Sequence, residues 1–425
     1  MRVTAIDQVE LTGTLTELSV TWVGAPARRG LPVGFNQGNH LRAQRSGRGA
    51  WLAGTVTLPD AHPDPSRVAG AVARLLGEHD ALRASFTVSV VPTQDVFDAT
   101  QLQVRPRVVG RVWHGFVESL LTQRCRAGNV PGVFFGILDD TVICAFDHAH
   151  ADAITIDLVL RRLCEYYIDP TTPRRPTLSY ADRCLTDAAA ASSPNRCDDA
   201  DSTRLMQVWH DFFALTEGAV PAFPLRLGAG RAPQRTVVVP LLDDSECTDL
   251  LPDSSFATIL SALAAAVADV GGPERLATLI PIHTRGPRTS GWHSTAGWLV
   301  SNAPVVVNAG DPNSATTWLR HASELAGLPL DHVLTQCRPH LPTEDIFMVS
   351  YLDYRKFGPA LPGAQHISAV TSTDTAQFWF TRSDSGLELR VRHPARPVAD
   401  HVIAGLLTAL HGRLREPRPV ALPAP

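Results

Sequence analysis

The chain has 425 residues, of which 44% are hydrophobic and 19% are charged, and its net charge is −4. This length exceeds one average hydrophobic core, so we expect a globular protein with two lobes. A slightly acidic chain without a long basic run argues against nucleic acid as the main partner. No apolar run approaches the roughly 20 residues that cross a bilayer, which predicts a protein that is not inserted in a membrane.

The first half of the chain alternates between strand and helix patterns. Short apolar or alternating runs predict strands, and apolar residues three and four apart predict amphipathic helices. Asp64 and Pro65 mark a helix start, because Asp caps helices and Pro fits the first helical position. The predicted strands lie within 1–24, 51–58, 86–91, 133–138 and 141–146, and the predicted helices run from Pro65 towards Glu78, over 115–126 and over 154–167.

A second series of elements follows a segment rich in Pro, Ala, Ser and Asp, which is typical of an exposed linker. We therefore predict an N-terminal lobe over 1–175, a linker region over 176–203 and a C-terminal lobe over 204–425. In the second lobe the patterns predict strands over 235–242, 278–283, 346–351, 376–381 and 387–391, and helices over 203–215, 256–270, 312–327 and 398–414.

Two histidines and two aspartates cluster between the strand that ends near residue 146 and the following helix. Strand-to-helix corners project side chains into a crevice, where chemistry is common. His148 and Asp152 could be a general base and its orienting carboxylate. His148, His150 and Asp152 could belong to a metal site, and Asp147, Asp152 and Thr155 could form a paired-carboxylate site.

Spacing alone does not choose among these interpretations. The chain has 16 histidines, so about one His-x-x-x-Asp pair is expected by chance. Asp152 could equally serve as an ordinary helix N-cap. The metal interpretation resembles the opening of the metallo-β-lactamase-type motif, but Ala153 stands where that motif needs another histidine. We expect His150 to point away from His148, because alternate residues of an extended segment face opposite ways.

Five segments, in this order, resemble motifs of the condensation domains of non-ribosomal peptide synthetases. The segment from His79 to Phe86 resembles their His-x-x-Leu-Arg-x-x-Phe pattern, and 146–153 lies where they carry His-His-x-x-x-Asp-Gly. The other three resemble their first motif, their Tyr-x-Asp-Phe motif and their Gly-x-Phe-x-Asn-x-x-Pro motif, and comprise 35–37, 179–182 and 296–304. The resemblance covers nearly the whole chain.

The resemblance assigns roles to individual residues. It implies that His148 is the active-site residue and that Asp152 has a structural role, paired with an arginine of the second lobe for which Arg285 is the candidate. Asp147 stands where the family has its first histidine, and Ala153 stands where it has glycine, so we assign Asp147 to structural support. Ala153 lacks the freedom of glycine at positive φ.

The implied fold is α/β, with two chloramphenicol-acetyltransferase-like sandwich lobes in a V around a central tunnel. Trp298, Asn302 and Tyr351 are candidate tunnel residues. Trp298 could equally be a core residue, and Asn302 could equally cap a turn.

The implied function is that of a free-standing condensation-type acyltransferase. An acyl or peptidyl carrier protein would deliver an acyl or aminoacyl thioester on phosphopantetheine in trans, and an amine or hydroxyl would attack it. No bound cofactor and no metal are expected. The setting implied is specialised-metabolite biosynthesis, such as antibiotic biosynthesis. We expect a monomer in the cytoplasm, where seven cysteines without a Cys-x-x-Cys pair would stay reduced.

Three alternatives stay open. Asp147, Asp152 and Thr155 resemble the Asp-x-x-x-x-Asp-x-x-Ser motif of heterocyclisation domains, which would release water from a Cys, Ser or Thr product. A catalytically silent relative would bind carrier proteins without turnover. A metal-dependent hydrolase would require a bound metal.

Overall fold

The computed structural model of the chain describes residues 1–191, 200–251, 255–341 and 345–416. The helices in these ranges are α1 (Phe35–Gln44), α2 (Pro65–Glu78), α3 (His114–Arg124), α4 (Ala153–Ile168), α5 (Tyr180–Ala191), α6 (Ala200–Leu215), α7 (Asp244–Leu250), α8 (Ser255–Asp269), α9 (Pro312–Leu325), α10 (Leu330–Cys337) and α11 (Pro397–Arg415). The strands are β1 (Arg2–Ala5), β2 (Gly13–Trp22), β3 (Arg28–Pro32), β4 (Trp51–Thr57), β5 (Ala84–Thr87), β6 (Thr93–Val96), β7 (Leu102–Val112), β8 (Val133–Leu138), β9 (Thr141–Asp147), β10 (Ala232–Leu242), β11 (Arg275–His283), β12 (Val300–Asn308), β13 (Val349–Asp353), β14 (Gln365–Ser368), β15 (Ser372–Thr373), β16 (Gln377–Ser383) and β17 (Gly386–Pro394). None of the described helices has the length and apolar character needed to cross a bilayer.

A seven-stranded sheet with the order β1-β14-β4-β9-β8-β2-β7 organises the first half of the chain. Its centre is the predicted hairpin of β8 and β9, which pair antiparallel. Residues of α2 and α4 join one core on this sheet, and residues of α3 join a second core. Strand β14 comes from far along the chain and lies between β1 and β4, so the sheet is not built from the first half alone.

A five-stranded sheet with the order β13-β16-β17-β10-β15 organises the second half. Strands β11 and β12 form a further antiparallel pair, and a parallel bridge between Leu279 and Met348 links this pair to the segment before β13. One large apolar core contains side chains of α6, α8, α9 and α11.

Helices with clear start signals agree with the sequence patterns. The Asp64 side chain accepts a hydrogen bond from the Ser66 N–H, with Pro65 at the first helical position of α2. Helix α4 buries Val159, Leu163 and other residues at helical spacing, as the pattern predicts.

Four of the described helices were not predicted, namely α1, α5, α7 and α10. Helix α1 occupies a polar stretch for which no helix was expected, and α5 occupies part of the predicted linker region, with Tyr180 and Cys184 buried. Residues 192–199 of that region lie outside the described residues. The lobe boundaries at 175 and 203 stay predictions.

Candidate active site

The corner between β9 and α4 is pinned by hydrogen bonds. Strand β9 ends at Asp147, a short 3-10 turn covers His148–His150, and α4 begins at Ala153. The Asp147 carboxylate caps this turn by accepting from the Ala149 N–H at 2.9 Å. The His148 N–H donates to the Ala50 carbonyl at 3.0 Å, which ties the turn to the start of β4.

His148 presents an imidazole in a defined orientation. Its Nδ1 lies 2.9 Å from the Ala151 carbonyl oxygen. Since a carbonyl only accepts, Nδ1 carries the proton and Nε2 keeps its lone pair. The ring stacks on the Trp298 indole, with centroids 3.9 Å apart and planes 12° apart. Burial lowers the pKa of His148 to about 4, with a smaller contribution from the charge of His40, so the imidazole is neutral at neutral pH.

Asp152 forms a buried ion pair with Arg285. The guanidinium binds both carboxylate oxygens, at 2.7 and 3.0 Å, and the exposed fractions of the Arg285 and Asp152 side chains are 0% and 4%. Asp152 also caps α4 by accepting from the Thr155 N–H, and it accepts from the Leu299 N–H. Burial raises the pKa of Asp152, but the Arg285 charge and the hydrogen bonds lower it more, so the pKa lies below its usual value.

The network around Asp152 joins two distant parts of the chain. Its hydrogen bonds go to Arg285, Thr155 and Leu299, and none of its recorded bonds goes to His148. Asp152 is therefore both the helix cap and the partner of an arginine from the second half, rather than the carboxylate that orients His148. The Ala151 carbonyl has that orienting role.

Gly297 allows Trp298 to reach His148. Thr155 Oγ1 donates to the Gly297 carbonyl at 2.9 Å and lies 3.1 Å from the Gly297 N–H. Gly297 has φ +152°, and a Cβ atom there would lie 2.5 Å from a ring carbon of Tyr180. Only glycine fits this conformation and this close approach without strain, so the Gly-Trp pair of the predicted motif has a structural reason.

Helix α1 supplies site residues that the sequence analysis missed. His40 Nε2 lies 3.0 Å from Asp147 Oδ1, and the Gln44 amide donates to Asp147 Oδ2. The ring centroid of His40 lies 5.8 Å from that of His148 and 5.9 Å from that of Trp298. Burial raises the pKa of Asp147, but the hydrogen bond from His40 and its charge outweigh this and lower the pKa. An ionised carboxylate accepts, so His40 Nε2 carries a proton.

The signal for these residues was weak. His40 and Gln44 are four residues apart and therefore share one face of a helix. Gln37, one turn earlier, donates to the Ala149 carbonyl at 2.6 Å. The three polar side chains were assigned to no helix, because the stretch offers few apolar residues at helical spacing. Asp147, which stands where condensation domains have their first histidine, therefore has a structural role that its partners in α1 explain.

Replacing Asp147 with Leu should destabilise the protein. The change leaves the donors of His40, Gln44 and Ala149 without a buried acceptor, and each such loss costs about 1–3 kcal/mol. We expect a free energy of unfolding lower by at least about 2 kcal/mol, measured by urea denaturation. Asp147→Asn keeps one acceptor oxygen and should lose less. Equal denaturation midpoints for wild type and Asp147→Leu would contradict this role of the carboxylate.

His150 and His148 have different partners, but His148–His150 is a 3-10 turn rather than the extended segment on which the expectation rested. Its Nδ1 donates to the Ala81 carbonyl at 2.8 Å, and its buried ring meets Phe86 edge to face. His148 and His150 therefore do not converge on one point. Among the described residues, no group of three or more His, Cys, Asp or Glu side chains is placed to hold a metal ion.

The remaining predicted residues lie in different places. Asn302 is half-buried on β12, opposite Pro281 of β11. Tyr351 on β13 stacks on Phe256, with centroids 5.2 Å apart, and packs against the large core of the second half. Their predicted position in a substrate tunnel stays a prediction.

The three residues of the heterocyclisation alternative belong to two networks. Asp147 binds groups from α1, whereas Asp152 and Thr155 bind Arg285. No recorded hydrogen bond joins Asp147 to Asp152 among the described residues.

Comparison with known proteins identifies relatives along most of the chain. No protein-family model matches it. The sequence is 24% identical over 435 aligned residues to the acyltransferase PapA3 of Mycobacterium tuberculosis, which covers 89% of this chain and 88% of that protein. The solved structure of the PapA2 acyl transferase superposes with a TM-score of 0.82 at 18% identity, covering 97% of this chain and 99% of that one. The epimerization domain from the third module of tyrocidine synthetase B superposes with a TM-score of 0.67 at 14% identity, covering 92% and 98%.

These likenesses confirm the predicted fold. The chain has the α/β architecture of condensation-type domains, and the predicted resemblance to that group is confirmed. The prediction of an acyltransferase agrees with the relatives that match nearly the full length, and a role in acyl transfer is supported.

Proposed function

We propose that this chain, which has the fold of condensation-type acyltransferases, is a free-standing acyltransferase that joins a thioester-bound acyl or aminoacyl group to an amine or hydroxyl. The observation that carries the proposal is the state of His148. Its Nδ1–H is fixed by the Ala151 carbonyl, and its low pKa keeps Nε2 unprotonated. A positioned, neutral imidazole at a strand-to-helix corner suits general-base catalysis.

The reaction follows from this geometry. Nε2 of His148 accepts the proton of the nucleophile as its nitrogen or oxygen attacks the thioester carbonyl carbon. The carbon–sulfur bond breaks, the acyl group stays on the nucleophile, and the thiolate takes up the proton and leaves as a thiol. The Ala151 carbonyl stabilises the transient imidazolium through Nδ1–H. Asp152 takes no proton, because it is already engaged by Arg285.

The donor in this proposal is a phosphopantetheine thioester on a carrier protein that binds in trans. Such a donor is what the resemblance of the sequence motifs to those of condensation domains implies. No resident cofactor or metal is needed, because the thioester is already activated. Specialised-metabolite biosynthesis in the cytoplasm is the setting we propose for a monomeric enzyme.

The test is a product assay by mass spectrometry. We would incubate the protein with acyl-pantetheine and acyl-carrier-protein thioesters and with a panel of amines and alcohols. A product with the mass of the acyl group joined to the acceptor, together with free thiol, is the expected result. Omitting the acceptor is the control, since free acid alone would identify a hydrolase.

Two other outcomes would replace this proposal. A product from a Cys, Ser or Thr acceptor that has also lost water would identify heterocyclisation. Binding of a carrier protein without turnover of any donor would identify a silent relative.

A further inference from the structure

Two arginines and a tryptophan share one face of the five-stranded sheet. Trp379 on β16 lies directly opposite Arg390 on β17, and Arg392 follows on the same face. The guanidinium carbon of Arg390 lies 4.7 Å from the Trp379 ring centroid, and that of Arg392 lies 5.8 Å from it. The alternate residues of both strands point into the large core and comprise Phe378, Phe380, Leu389 and Val391. We name Trp379, Arg390 and Arg392 the arginine–tryptophan patch.

Arg390 is a buried cation that forms no ion pair among the described residues, although the exposed Asp7 acts on it at longer range. Its exposed fraction is 5%, and its recorded hydrogen bond goes to the neutral hydroxyl of Ser368, at 2.6 Å. Its Nε is buried without a hydrogen-bond partner. Burial, followed by the charge of Arg392, lowers the pKa of Arg390 to about 9. A buried charge is costly unless it is paired.

The carboxylates beside the patch are bound by another arginine, Arg231. Arg392 lies 3.8 Å from Asp345, but Arg231 binds the same carboxylate more closely, at 2.9 Å, and also binds Asp374. Neither Asp345 nor Asp374 forms an ion pair with Arg390, and Asp7 raises the pKa of Arg390 without forming an ion pair with it. The Nε atom of Arg392 is also buried without a partner.

The patch lies close to the active-site corner. Ser368, which binds Arg390, is in register with Leu52 of β4, and Leu52 is in register with Phe146 of β9. Two strand spacings amount to about 10 Å. His148 follows Phe146 by two residues. His366 lies within electrostatic range of both Arg390 and His148, and its pKa falls to about 3 mainly through burial.

The segment before β4 borders both places. The Ala50 carbonyl binds the His148 N–H, and Arg48 approaches Asp345 at 4.0 Å. The same short segment therefore contacts both the His148 turn and the carboxylate beside Arg392.

We propose that the arginine–tryptophan patch binds an oxyanion group, namely a carboxylate, phosphate or sulfate, carried by the acceptor nucleophile. This inference rests on the proposed acyl-transfer function. Guanidinium groups bind such oxyanions in a bidentate manner. The indole of Trp379 offers an apolar surface for the carbon skeleton of the acceptor. The amine or hydroxyl at the far end of the acceptor would then lie at Nε2 of His148.

The test compares acceptors that differ only in charge. Amino acids and their carboxamides would be assayed with a non-phosphorylated acyl-pantetheine donor, in wild type and in Arg390→Gln. We expect Arg390→Gln to lower kcat/KM for the acids on the order of 10- to 100-fold and to leave the carboxamides within about twofold. Arg390→Lys keeps the positive charge but lacks the two parallel N–H donors of a guanidinium. Its kcat/KM for the acids should therefore lie between those of the wild type and Arg390→Gln. Arg413→Gln, which alters an exposed ion pair with Asp269, is the matched control.

Two outcomes would overturn the assignment. An equal loss for acids and carboxamides would show that Arg390 is structural. Discrimination by Arg390 between phosphopantetheine and pantetheine donors, without discrimination between acceptors, would place the donor phosphate at the patch instead.

A binding measurement separates this inference from the proposed function. Inorganic sulfate should raise the melting temperature of the wild type above that in chloride at equal ionic strength, and it should have no such effect on Arg390→Gln or Arg392→Gln. Equal rises in all three proteins would overturn the site. Sulfate binding by the wild type alone, with no acyl transfer to any acceptor, would retain the oxyanion site and reject the proposed reaction.

Discussion

His148→Ala is expected to lower kcat for acyl transfer by about 10²- to 10⁴-fold. The variant removes an imidazole that has a fixed orientation and an unprotonated Nε2. It leaves the Asp152–Arg285 pair and the Asp147 network in place. The stability of the protein should therefore change much less than its activity. Steady-state kinetics with one thioester donor and one acceptor would measure the effect.

The dependence on pH follows from the same residue. The reaction needs neutral His148, and the pKa of this group is lowered to about 4. The rate should therefore be insensitive to the protonation of His148 at neutral pH and should fall on acidification as the pH approaches that value.

His411→Ala, a change at an exposed position of α11, is the matched control for His148→Ala. Full activity in His148→Ala would contradict the assignment and direct attention to His40.

Arg285→Leu should produce the largest loss of stability among the substitutions considered. It leaves the Asp152 carboxylate buried without its counter-ion, and breaking a buried pair in this way costs about 3–5 kcal/mol. Urea denaturation at pH 7 would measure the free energy of unfolding.

The contribution of Asp152 to the free energy of unfolding should change with pH in opposite directions in the wild type and in Arg285→Leu. In the wild type the folded pKa of Asp152 is lowered, so its contribution to stability is present at neutral pH and is lost as the pH falls through the folded pKa. Without Arg285, burial raises the folded pKa, so the variant should lose less stability near pH 4, where the carboxyl takes up a proton, than at pH 7.

A double variant identifies the source of this loss. Asp152→Asn in the Arg285→Leu background removes the unpaired charge but keeps an oxygen for the helix cap of α4. We expect it to recover most of the lost stability. Equal instability of the single and double variants would mean that lost packing, rather than a buried charge, is responsible.

The elements with strong local patterns were predicted from the sequence. The hairpin of β8 and β9 and helix α4 follow from apolar runs and from helical spacing, so the corner that carries His148 was located correctly. Asp152 shows why two interpretations of one residue can both hold, because the helix cap uses one oxygen while Arg285 binds both.

The parts that escaped prediction depend on long-range contacts. His40 and Asp147 are 107 residues apart in the sequence. Helix α1 also has too few apolar residues at helical spacing to be predicted as a helix. The pattern of β17 predicts a strand, but it cannot show that Arg390 is buried beside a neutral serine of β14. The sequence showed that Asp147 differs from the motif of condensation domains, but it did not show that residues of α1 bind Asp147.

The position of β14 makes the two halves of the chain inseparable. Residues 365–368 pair with both β1 and β4, and β1 has its recorded strand partner only in β14 within the described residues. A fragment cut before α6 would expose the backbone of β4 as a free sheet edge and leave β1 unpaired. Exposed edges of this kind recruit other strands. Such a fragment should therefore aggregate when it is produced alone, and co-production with the complementary fragment should restore a soluble assembly.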